Sequence, residues 1–326
     1  MAALPGLHDI RTTHERLAPY LGATPVHVWD DPLYLEGFGR NQLHLKLEFL
    51  QRGGSFKPRG ALANILALDS DARAKGVVAV SAGNHAIAVA YAASALGVSA
   101  KVVMHKAANP ARVAKARAYG AEVVLAADIQ TAFDTAMDLR EREGRTLVHP
   151  FEGTATRLGT ATLGLDMAEQ IRDLDAVVIA VGGGGLLAGA GAAIKQVQPG
   201  CAVIGVEPAG ADGLRRSLAD GAPVDAAPRE TVADSMAPPF HTAGTFDVCR
   251  QVVDDVVTVD DAAICRAMAM AFDGLKFALE PAGAASLAAL AGPLWGRWPG
   301  GRVCALLCGS NIDTASFADL AQRGST

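Results

Sequence analysis

Short apolar runs alternate with longer helical patterns along almost the whole chain. Most of the short runs are near-continuously apolar, which is typical of strands that are covered on both faces. We therefore predict strands at residues 43–47, 77–80, 101–104, 122–125, 146–149, 176–181, 202–206, 253–259 and 303–307.

The segments between these runs are rich in alanine and predict helices, for example at 85–96, 110–119 and 129–143. A last helix is predicted at 315–322. Alternation of strands and helices produces parallel sheets with right-handed crossovers. The pattern thus predicts the α/β class, with open, mostly parallel twisted sheets flanked by helices.

The same alternation suggests two domains. Residues 74–150 contain four β/α units and predict a small domain. Residues 1–73 together with 151–326 predict a large domain, so the chain would leave the large domain and return to it. We find no internal repeat, and we expect no appended regulatory module after residue 326.

Composition narrows the range of partners. Half of the 326 residues are hydrophobic, 19% are charged, and the net charge is -5 without a basic block. This balance argues against a nucleic-acid or anionic-membrane surface. The N-terminus lacks a signal peptide, and the apolar runs end before they reach membrane-spanning length. The five cysteines show no CxxC spacing, which favours reduced thiols in a cytoplasmic protein and no zinc site.

The segment Ser55-Phe56-Lys57-Pro58-Arg59-Gly60 places one lysine beside an aromatic ring, after a predicted strand and at the start of a predicted helix. A lysine that acts as an amine nucleophile needs such a partly desolvated position, because only the neutral amine is nucleophilic. A solvated surface lysine would explain Lys57 equally well if the segment stood alone.

Three further segments follow predicted strands. Ser81-Ala82-Gly83-Asn84-His85 opens a helix, so its N–H groups could bind a carboxylate, although a capped helix start is an equal alternative. Gly182-Gly183-Gly184-Gly185 precedes another helix and predicts a phosphate cradle. Cys308 begins Cys308-Gly309-Ser310-Asn311 at the carboxyl end of a strand, where α/β folds bind ligands; a small buried core residue is its alternative.

The glycine run also supports a different hypothesis. Gly183-x-Gly185-x-x-Ala188 matches the dinucleotide fingerprint, and Glu207 follows near the spacing of a ribose-binding acid. A nicotinamide dehydrogenase would leave Lys57 and the segment 81–85 without a role.

Together the four segments resemble fold-type II pyridoxal-phosphate enzymes, in particular the serine/threonine dehydratase and serine racemase group. Gly205-Val206-Glu207-Pro208 and Glu280-Pro281-Ala282-Gly283-Ala284 carry the same resemblance, which therefore covers nearly the whole chain. It implies two mostly parallel sheets of the tryptophan synthase β-like fold and pyridoxal 5'-phosphate as the cofactor.

The resemblance implies roles for single residues. Lys57 would hold the cofactor covalently and act as acid and base at the substrate Cα. Phe56 would pack against the pyridine ring, Asn84 would bond the 3' oxygen of the ring, and Cys308 would contact the ring nitrogen. The phosphate would lie on Gly182, Gly183, Gly184, Gly185 and Leu186. The substrate carboxylate would lie on Ser81, Ala82, Gly83, Asn84 and His85.

By resemblance, the function is that of a dehydratase, or ammonia-lyase, which converts a β-hydroxy amino acid to a 2-oxo acid and ammonia. Threonine, serine, hydroxyaspartate and phenylserine are candidate substrates. Similar serine racemases carry a second serine at the position of Ala82, and a methyl group cannot move protons, so elimination is favoured over racemisation. A racemase, a β-replacement synthase and a non-catalytic ligand-binding relative remain alternatives.

Three expectations concern the remaining polar groups and the assembly. The glutamate of a divalent-cation site in some relatives corresponds to Glu207, but Gly213 stands where those relatives carry an acid, with Asp212 beside it. No metal site is assigned, and two alternatives stay open for Glu207: a solvated acid at a strand end, or a ligand of a divalent cation. Glu280 is expected to cap the helix that follows it, and His85 to shape its loop. The resemblance implies a homodimer.

Overall fold

A computed structural model describes residues 2–225, 230–238 and 240–325. These residues form two sheets, of six and four strands. The larger sheet has the order β1-β2-β10-β7-β8-β9, and the smaller sheet has the order β5-β4-β3-β6. The strands are β1 (Val26–Trp29), β2 (Gln42–Lys46), β3 (Val77–Val80), β4 (Ala100–His105), β5 (Glu122–Ala126), β6 (Thr146–Leu147), β7 (Ala176–Ala180), β8 (Ala202–Pro208), β9 (Asp255–Val259) and β10 (Arg302–Leu306).

Helices fill the connections between the strands. Within the described ranges they are α1 (Leu7–Leu17), α2 (Pro32–Leu35), α3 (Lys57–Leu66), α4 (Ser70–Lys75), α5 (Asn84–Ala95), α6 (Pro110–Ala118), α7 (Ile129–Glu143), α8 (Thr154–Gln170), α9 (Gly185–Val197), α10 (Gly213–Asp220), α11 (Ala243–Val252), α12 (Asp261–Leu275), α13 (Pro281–Leu290) and α14 (Thr314–Gly324).

The predicted α/β class with mostly parallel sheets is confirmed. All nine predicted strands are present, with ends that differ by up to two residues. The exception to parallel pairing is β1, which runs antiparallel to β2 at the edge of the larger sheet. The sequence analysis missed β1 because its middle residues, His27 and Val28, are exposed, and the strand lacks a continuous apolar run.

The smaller sheet deviates from four regular β/α units. Helices α5, α6 and α7 connect its strands, but β6 has only two residues and pairs with β3 through Val77 and Val78. Helices α5 and α7 both pack against β3 and β4. The prediction of a strand over 146–149 was therefore too long, and its last residues lie in a loop.

The core of the larger sheet lies around β7, every residue of which is buried. Helices α9 and α13 both contact β7 and β8, and α8 packs on α9. The α8–α9 approach depends on glycine, because a Cβ atom at Gly164 would lie 2.2 Å from the carbonyl oxygen of Ala190. The strands thus sit under close-packed helices, and their carboxyl ends remain for a ligand.

The described residues also bear on membrane spans and on the cysteines. No helix among them is long and apolar enough to cross a membrane. All five cysteines are buried as free thiols, as the sequence analysis expected for reduced thiols.

Candidate active site

The predicted site residues meet at the carboxyl ends of three parallel strands. Ser81 follows β3 of the smaller sheet, whereas Gly182 and Cys308 follow β7 and β10 of the larger sheet. Gly309, next to Cys308, pairs with Ser55, and the N–H of Phe56 donates to the carbonyl of Cys308 at 3.1 Å. These contacts bring the lysine segment against the end of β10.

Lys57 is the first residue of α3, and Phe56 is its N-cap residue. The Nζ atom donates to the carbonyl oxygen of Pro150 at 2.6 Å and lies 5.0 Å from the centre of the Phe56 ring. Although the side chain keeps a small exposed fraction, protein atoms surround its amine, and this desolvation lowers the pKa of Lys57 to about 8. A substantial fraction of the amine is thus neutral near pH 8.

Buried ion pairs anchor the helix that carries Lys57. The Arg59 guanidinium donates to Glu48 at 2.6 Å and to Asp166 on α8 at 2.7 Å. Arg59 and Glu48 are almost fully buried, so these charge-assisted bonds have strict geometry. They hold the N-terminal turn of α3, and with it Lys57, against α8.

The loop after β6 connects three parts of the site, and the sequence analysis did not single it out. The carbonyl oxygen of Val148 contacts Nε2 of His85 at 2.8 Å, and that of Pro150 accepts from Lys57. The ring of Phe151 covers Gly183 so closely that a Cβ there would lie 2.2 Å from a ring atom. The sequence held one signal for this loop: it directly follows a predicted strand of a parallel sheet, where such folds bind ligands.

The glycine segment (residues 182–185) connects β7 to α9, as predicted. Gly184 is the N-cap residue of α9 with a φ of 84°, and no described side chain caps this helix. By contrast, Asn109, Asp128 and Asp260 cap α6, α7 and α12. The first-turn N–H groups of α9 therefore keep their capacity to bind an anion.

The 81–85 loop also leads into a helix that lacks a side-chain cap. Helix α5 begins at Asn84 after Gly83, and no side chain within the described ranges caps it. Asn84 and His85 are buried, and burial lowers the pKa of His85 to about 3, so this imidazole is neutral. Its bond to Val148 fastens the loop to the end of β6. The loop thus offers an uncapped helix start for a carboxylate, with His85 in the expected shaping position.

Cys308 is buried, and its thiol contacts the carbonyl oxygen of Ala282 at 3.4 Å. Burial and, to a smaller extent, the nearby Glu280 raise the pKa of the Cys308 thiol far above its usual range. This sulfur is therefore uncharged, and it follows the carboxyl end of β10, the edge of a parallel sheet at which α/β folds bind ligands.

The expectation for Glu280 was wrong. Glu280 occupies the N-cap position of α13, but its side chain makes no capping bond. Its Oε1 atom instead accepts from Nδ2 of Asn84 at 2.5 Å. The carboxyl group is completely buried, and burial raises its pKa to about 7. Glu280 is thus joined to the 81–85 loop rather than to its own helix.

Of the two alternatives for Glu207, a solvated acid at a strand end is wrong. Glu207 is buried, and its two carboxylate oxygens accept from the backbone N–H groups of Leu214 and Arg215, at 2.8 Å each. It therefore caps α10. No group of three or more potential metal-ligating side chains occurs among residues 2–225, 230–238 and 240–325.

Comparison with known proteins assigns the family. The model of a family described as "Pyridoxal-phosphate dependent enzyme" matches residues 17–309. The chain belongs to this family. This membership supports the fold-type II resemblance and removes the basis for the dinucleotide interpretation of the glycine segment.

Individual relatives agree with this assignment. A phenylserine dehydratase from Ralstonia pickettii is 50% identical over 315 residues, which cover 97% of this chain and 96% of the relative. An L-threonine ammonia-lyase from Geobacter sulfurreducens is 38% identical and matches 86% of this chain and 70% of the relative. The structure of maize serine racemase superposes with a TM-score of 0.91 at 34% identity, covering 98% of this chain and 97% of that one.

The residues present fit pyridoxal phosphate, the cofactor of this family. Lys57 offers a buried amine, and α9 offers uncapped N–H groups of the kind that bind phosphate. Phe56 supplies a ring beside that amine, while Asn84 and Cys308 supply an amide and a neutral thiol. Each chemical part of the cofactor thus has a matching group in this site.

Proposed function

We propose that the protein is a pyridoxal-phosphate-dependent dehydratase that removes water from a β-hydroxy amino acid and releases a 2-oxo acid and ammonia. One observation carries this proposal. The 81–85 loop holds a methyl group at Ala82 beside a site whose proton-transfer group is the Lys57 amine, with a pKa lowered to about 8. An amine with this pKa can both take and return a proton near neutral pH.

The proposed roles follow the chemistry of each group. Bound pyridoxal phosphate supplies an electron sink that makes the Cα proton of the substrate acidic. The Lys57 amine takes that proton, and the electron pair of the Cα–H bond forms a double bond to Cβ. The Cβ–O bond breaks, and the hydroxyl leaves as water with a proton from the Lys57 ammonium. Hydrolysis of the remaining imine then gives the 2-oxo acid and ammonia.

The surrounding groups bind and orient. N–H groups of the 81–85 loop bind the substrate carboxylate, and those of the glycine segment and Leu186 bind the cofactor phosphate. Asn84 would donate to the ring oxygen of the bound cofactor, and Cys308 would face the ring nitrogen. A neutral thiol would leave that nitrogen unprotonated, which favours prompt loss of a β leaving group over transamination.

The substrate side chain is proposed to be aromatic. A cavity of about 410 Å³ opens beside the 81–85 loop between the two sheets. Its polar lining comes from His105, Asn109, Arg112, Asp234, Asp313 and Ser316, and its apolar lining from Ala82, Ala107, Ala108, Val232, Pro281, Ile312 and Leu320. A phenyl ring fits the apolar side of this cavity, and a 50% identical relative is named phenylserine dehydratase.

A substrate panel tests this function. We expect 2-oxo acid from L- or D-threo-phenylserine with a kcat/KM at least about tenfold above that for serine, since an apolar pocket contributes on this order. Ile312→Trp, which fills the cavity, should lower kcat/KM for phenylserine about tenfold and change the value for serine less than about twofold. Lys57→Ala should abolish both activities and the yellow colour of the holoenzyme.

Other products would identify the alternatives. Accumulation of the opposite enantiomer without 2-oxo acid would indicate a racemase, and incorporation of an added thiol would indicate a β-replacement synthase. A coloured protein that releases no 2-oxo acid from serine, threonine, hydroxyaspartate or phenylserine would be a ligand-binding relative.

We further propose that the chain consists of a small domain, 74–150, and a large domain made of 1–73 and 151–326, and that it works as a cytoplasmic homodimer. Support for the domains is that β3 to β6 pair only with one another among the described strands. The five buried thiols favour a reducing compartment. The dimer rests on the family resemblance, and sedimentation equilibrium tests it.

A further inference from the structure

A chain of hydrogen bonds runs from α6 through the site to the start of α13. Lys115 donates to Oδ1 of Asn311 at 2.6 Å, and Nδ2 of Asn311 donates to Oδ1 of Asn84 at 2.6 Å. Nδ2 of Asn84 then donates to Oε1 of Glu280 at 2.5 Å. These four side chains, the amide relay, are separated by up to 227 residues in sequence.

The groups at the two ends of the amide relay determine which atom of each amide donates and which accepts. The ammonium group of Lys115 can only donate, so it selects the carbonyl oxygen of Asn311. The amide nitrogen of Asn311 is also held by the carbonyl oxygen of Gly53 at 2.7 Å. At the other end, an ionised Glu280 can only accept, so it selects the amide nitrogen of Asn84.

This direction determines what Asn84 can offer to a ligand. Its carbonyl oxygen accepts from Asn311, and one of its two N–H bonds points to Glu280. One N–H remains available for an oxygen acceptor. If the amide were reversed, the group would present a carbonyl oxygen there and would repel the ring oxygen of the cofactor.

We propose that Glu280 is a positioning residue of the active site, whose ionised carboxylate holds the Asn84 amide with an N–H available to the cofactor. A protonated carboxyl group could itself donate a hydrogen bond, and it would then also accept the reversed amide. The proposal rests on the site described above and is independent of which amino acid is the substrate.

The surroundings of Glu280 place this ionisation near neutral pH. Burial raises the pKa to about 7, and the guanidinium of Arg112, 4.0 Å from Oε2, opposes this shift together with the Asn84 bond. Asp234 pairs with Arg112 at 2.8 Å and weakens its effect. The other facing groups with an electrostatic influence are Lys57, Lys115 and Cys308.

The Asn84 amide is the side-chain hydrogen-bond donor to Glu280 among the described residues. Oε2 of Glu280 is buried and has no hydrogen-bond partner among them, and the guanidinium of Arg112 lies 4.0 Å from this oxygen. The bond between Asn84 and Oε1 therefore links the carboxyl group directly to the 81–85 loop.

The test measures cofactor affinity of the apoenzyme rather than catalysis, so its outcome does not depend on the dehydratase assignment. Pyridoxal phosphate is titrated into wild type and Glu280→Gln at pH 6, 7 and 8, and the ratio of the two Kd values is compared. We expect this ratio to rise from near one at pH 6 to about tenfold at pH 8, which corresponds to one charge-assisted hydrogen bond.

The ratio cancels pH effects that both proteins share, including the titration of Lys57 and of the cofactor phosphate. Glu141→Gln, the same substitution at an exposed position of α7, should give a ratio near one at each pH. A ratio for Glu280→Gln that is constant from pH 6 to pH 8 would overturn the proposal, because a purely structural defect does not titrate.

A second variant keeps the test valid if Glu280→Gln does not fold. Asn84→Ala removes the group through which Glu280 acts, so its Kd ratio to wild type should rise with pH in the same way. In the double variant Asn84→Ala/Glu280→Gln, the ratio should equal that of Asn84→Ala alone. An additional pH-dependent loss in the double variant would show that Glu280 acts by another route.

Thermal unfolding of the apoenzyme measures the ionisation of the Glu280 carboxyl group directly. Because the folded pKa of Glu280 lies above its unfolded value, its stabilising contribution is complete below about pH 4.5 and is lost as pH rises through 7. The Tm of wild-type apoenzyme should therefore decline more than that of Glu280→Gln between pH 5 and pH 8. Parallel Tm curves would contradict the assigned ionisation.

Discussion

The methyl group of Ala82 limits the number of groups that can move a proton at the substrate. Ala82 lies in the 81–85 loop and lines the cavity beside it. Lys57, by contrast, has an amine with a pKa of about 8. In the proposed function, Lys57 therefore carries the proton transfer at Cα, and Ala82 supplies no proton donor for the opposite face.

Ala82→Ser tests this reasoning. A hydroxyl at this position can donate a proton to the opposite face of the substrate, and a positioned acid or base contributes about 10²-fold or more. We expect formation of D-serine from L-serine to rise at least about tenfold over wild type, measured by chiral chromatography.

Ala95→Ser is the matched control, since it adds the same hydroxyl at an exposed position of α5, the helix that follows the 81–85 loop. It should leave the product distribution unchanged. An Ala82→Ser enzyme that still yields 2-oxo acid without D-serine would mean that the hydroxyl cannot reach the reacting carbon.

Helix α9 and the loop that carries Phe151 form one structural unit through Gly183. The Phe151 ring occupies the space that a Cβ would need, and the neighbouring Pro150 accepts the hydrogen bond of Lys57. A change at the phosphate cradle should thus reach the lysine through two adjacent residues. Helix packing and cofactor binding are coupled at this point.

Gly183→Ala should therefore weaken cofactor binding about tenfold or more and destabilise the protein by about 1–3 kcal/mol, as overpacking does. Equilibrium titration with pyridoxal phosphate and urea denaturation measure the two effects. Gly200→Ala is the control, because a Cβ there meets nothing within 4 Å, and its effect should stay within about 0.5 kcal/mol. Equal behaviour of the two variants would refute the coupling.

The candidate site draws on both sheets, since Asn84 follows the end of β3 whereas Gly182 and Cys308 follow the ends of β7 and β10. Further bonds cross between the same parts. Asn109 on α6 donates to Asp313 at 2.7 Å, and Arg112 donates to the carbonyl oxygen of Asn311 at 3.0 Å. Cofactor binding should accordingly stabilise both sheets together.

Pyridoxal phosphate at 100 times its Kd should stabilise the protein by about 2.7 kcal/mol and raise the Tm by roughly 5 °C in one transition. Calorimetry measures the shift, and hydrogen exchange locates it. Protection should increase in α5 and α6 as well as in α9, and less in Lys57→Ala. Protection confined to α9 would show that the smaller sheet does not take part in binding.

Single strands and helices could be predicted where their own residues form a clear pattern. Strand β3 was predicted with both ends because four apolar residues lie between polar neighbours, and β7 and α7 were predicted for similar reasons. Strand β1 was missed because an edge strand needs no continuous apolar run. The ends of β6 were wrong because pairing with β3, not composition, limits its length.

The amino-acid sequence by itself determined the fold class, the cofactor family and the segments that surround the lysine, because strand ends and glycine-rich turns are encoded by neighbouring residues. Tertiary structure alone decided the partners of Glu280 and Glu207 and the role of the loop around Phe151. A buried carboxyl group takes the donor that folding brings to it, and for Glu280 that donor is 196 residues away. Hydrogen-bond partners at such distances leave no local pattern, so only the folded chain specifies them.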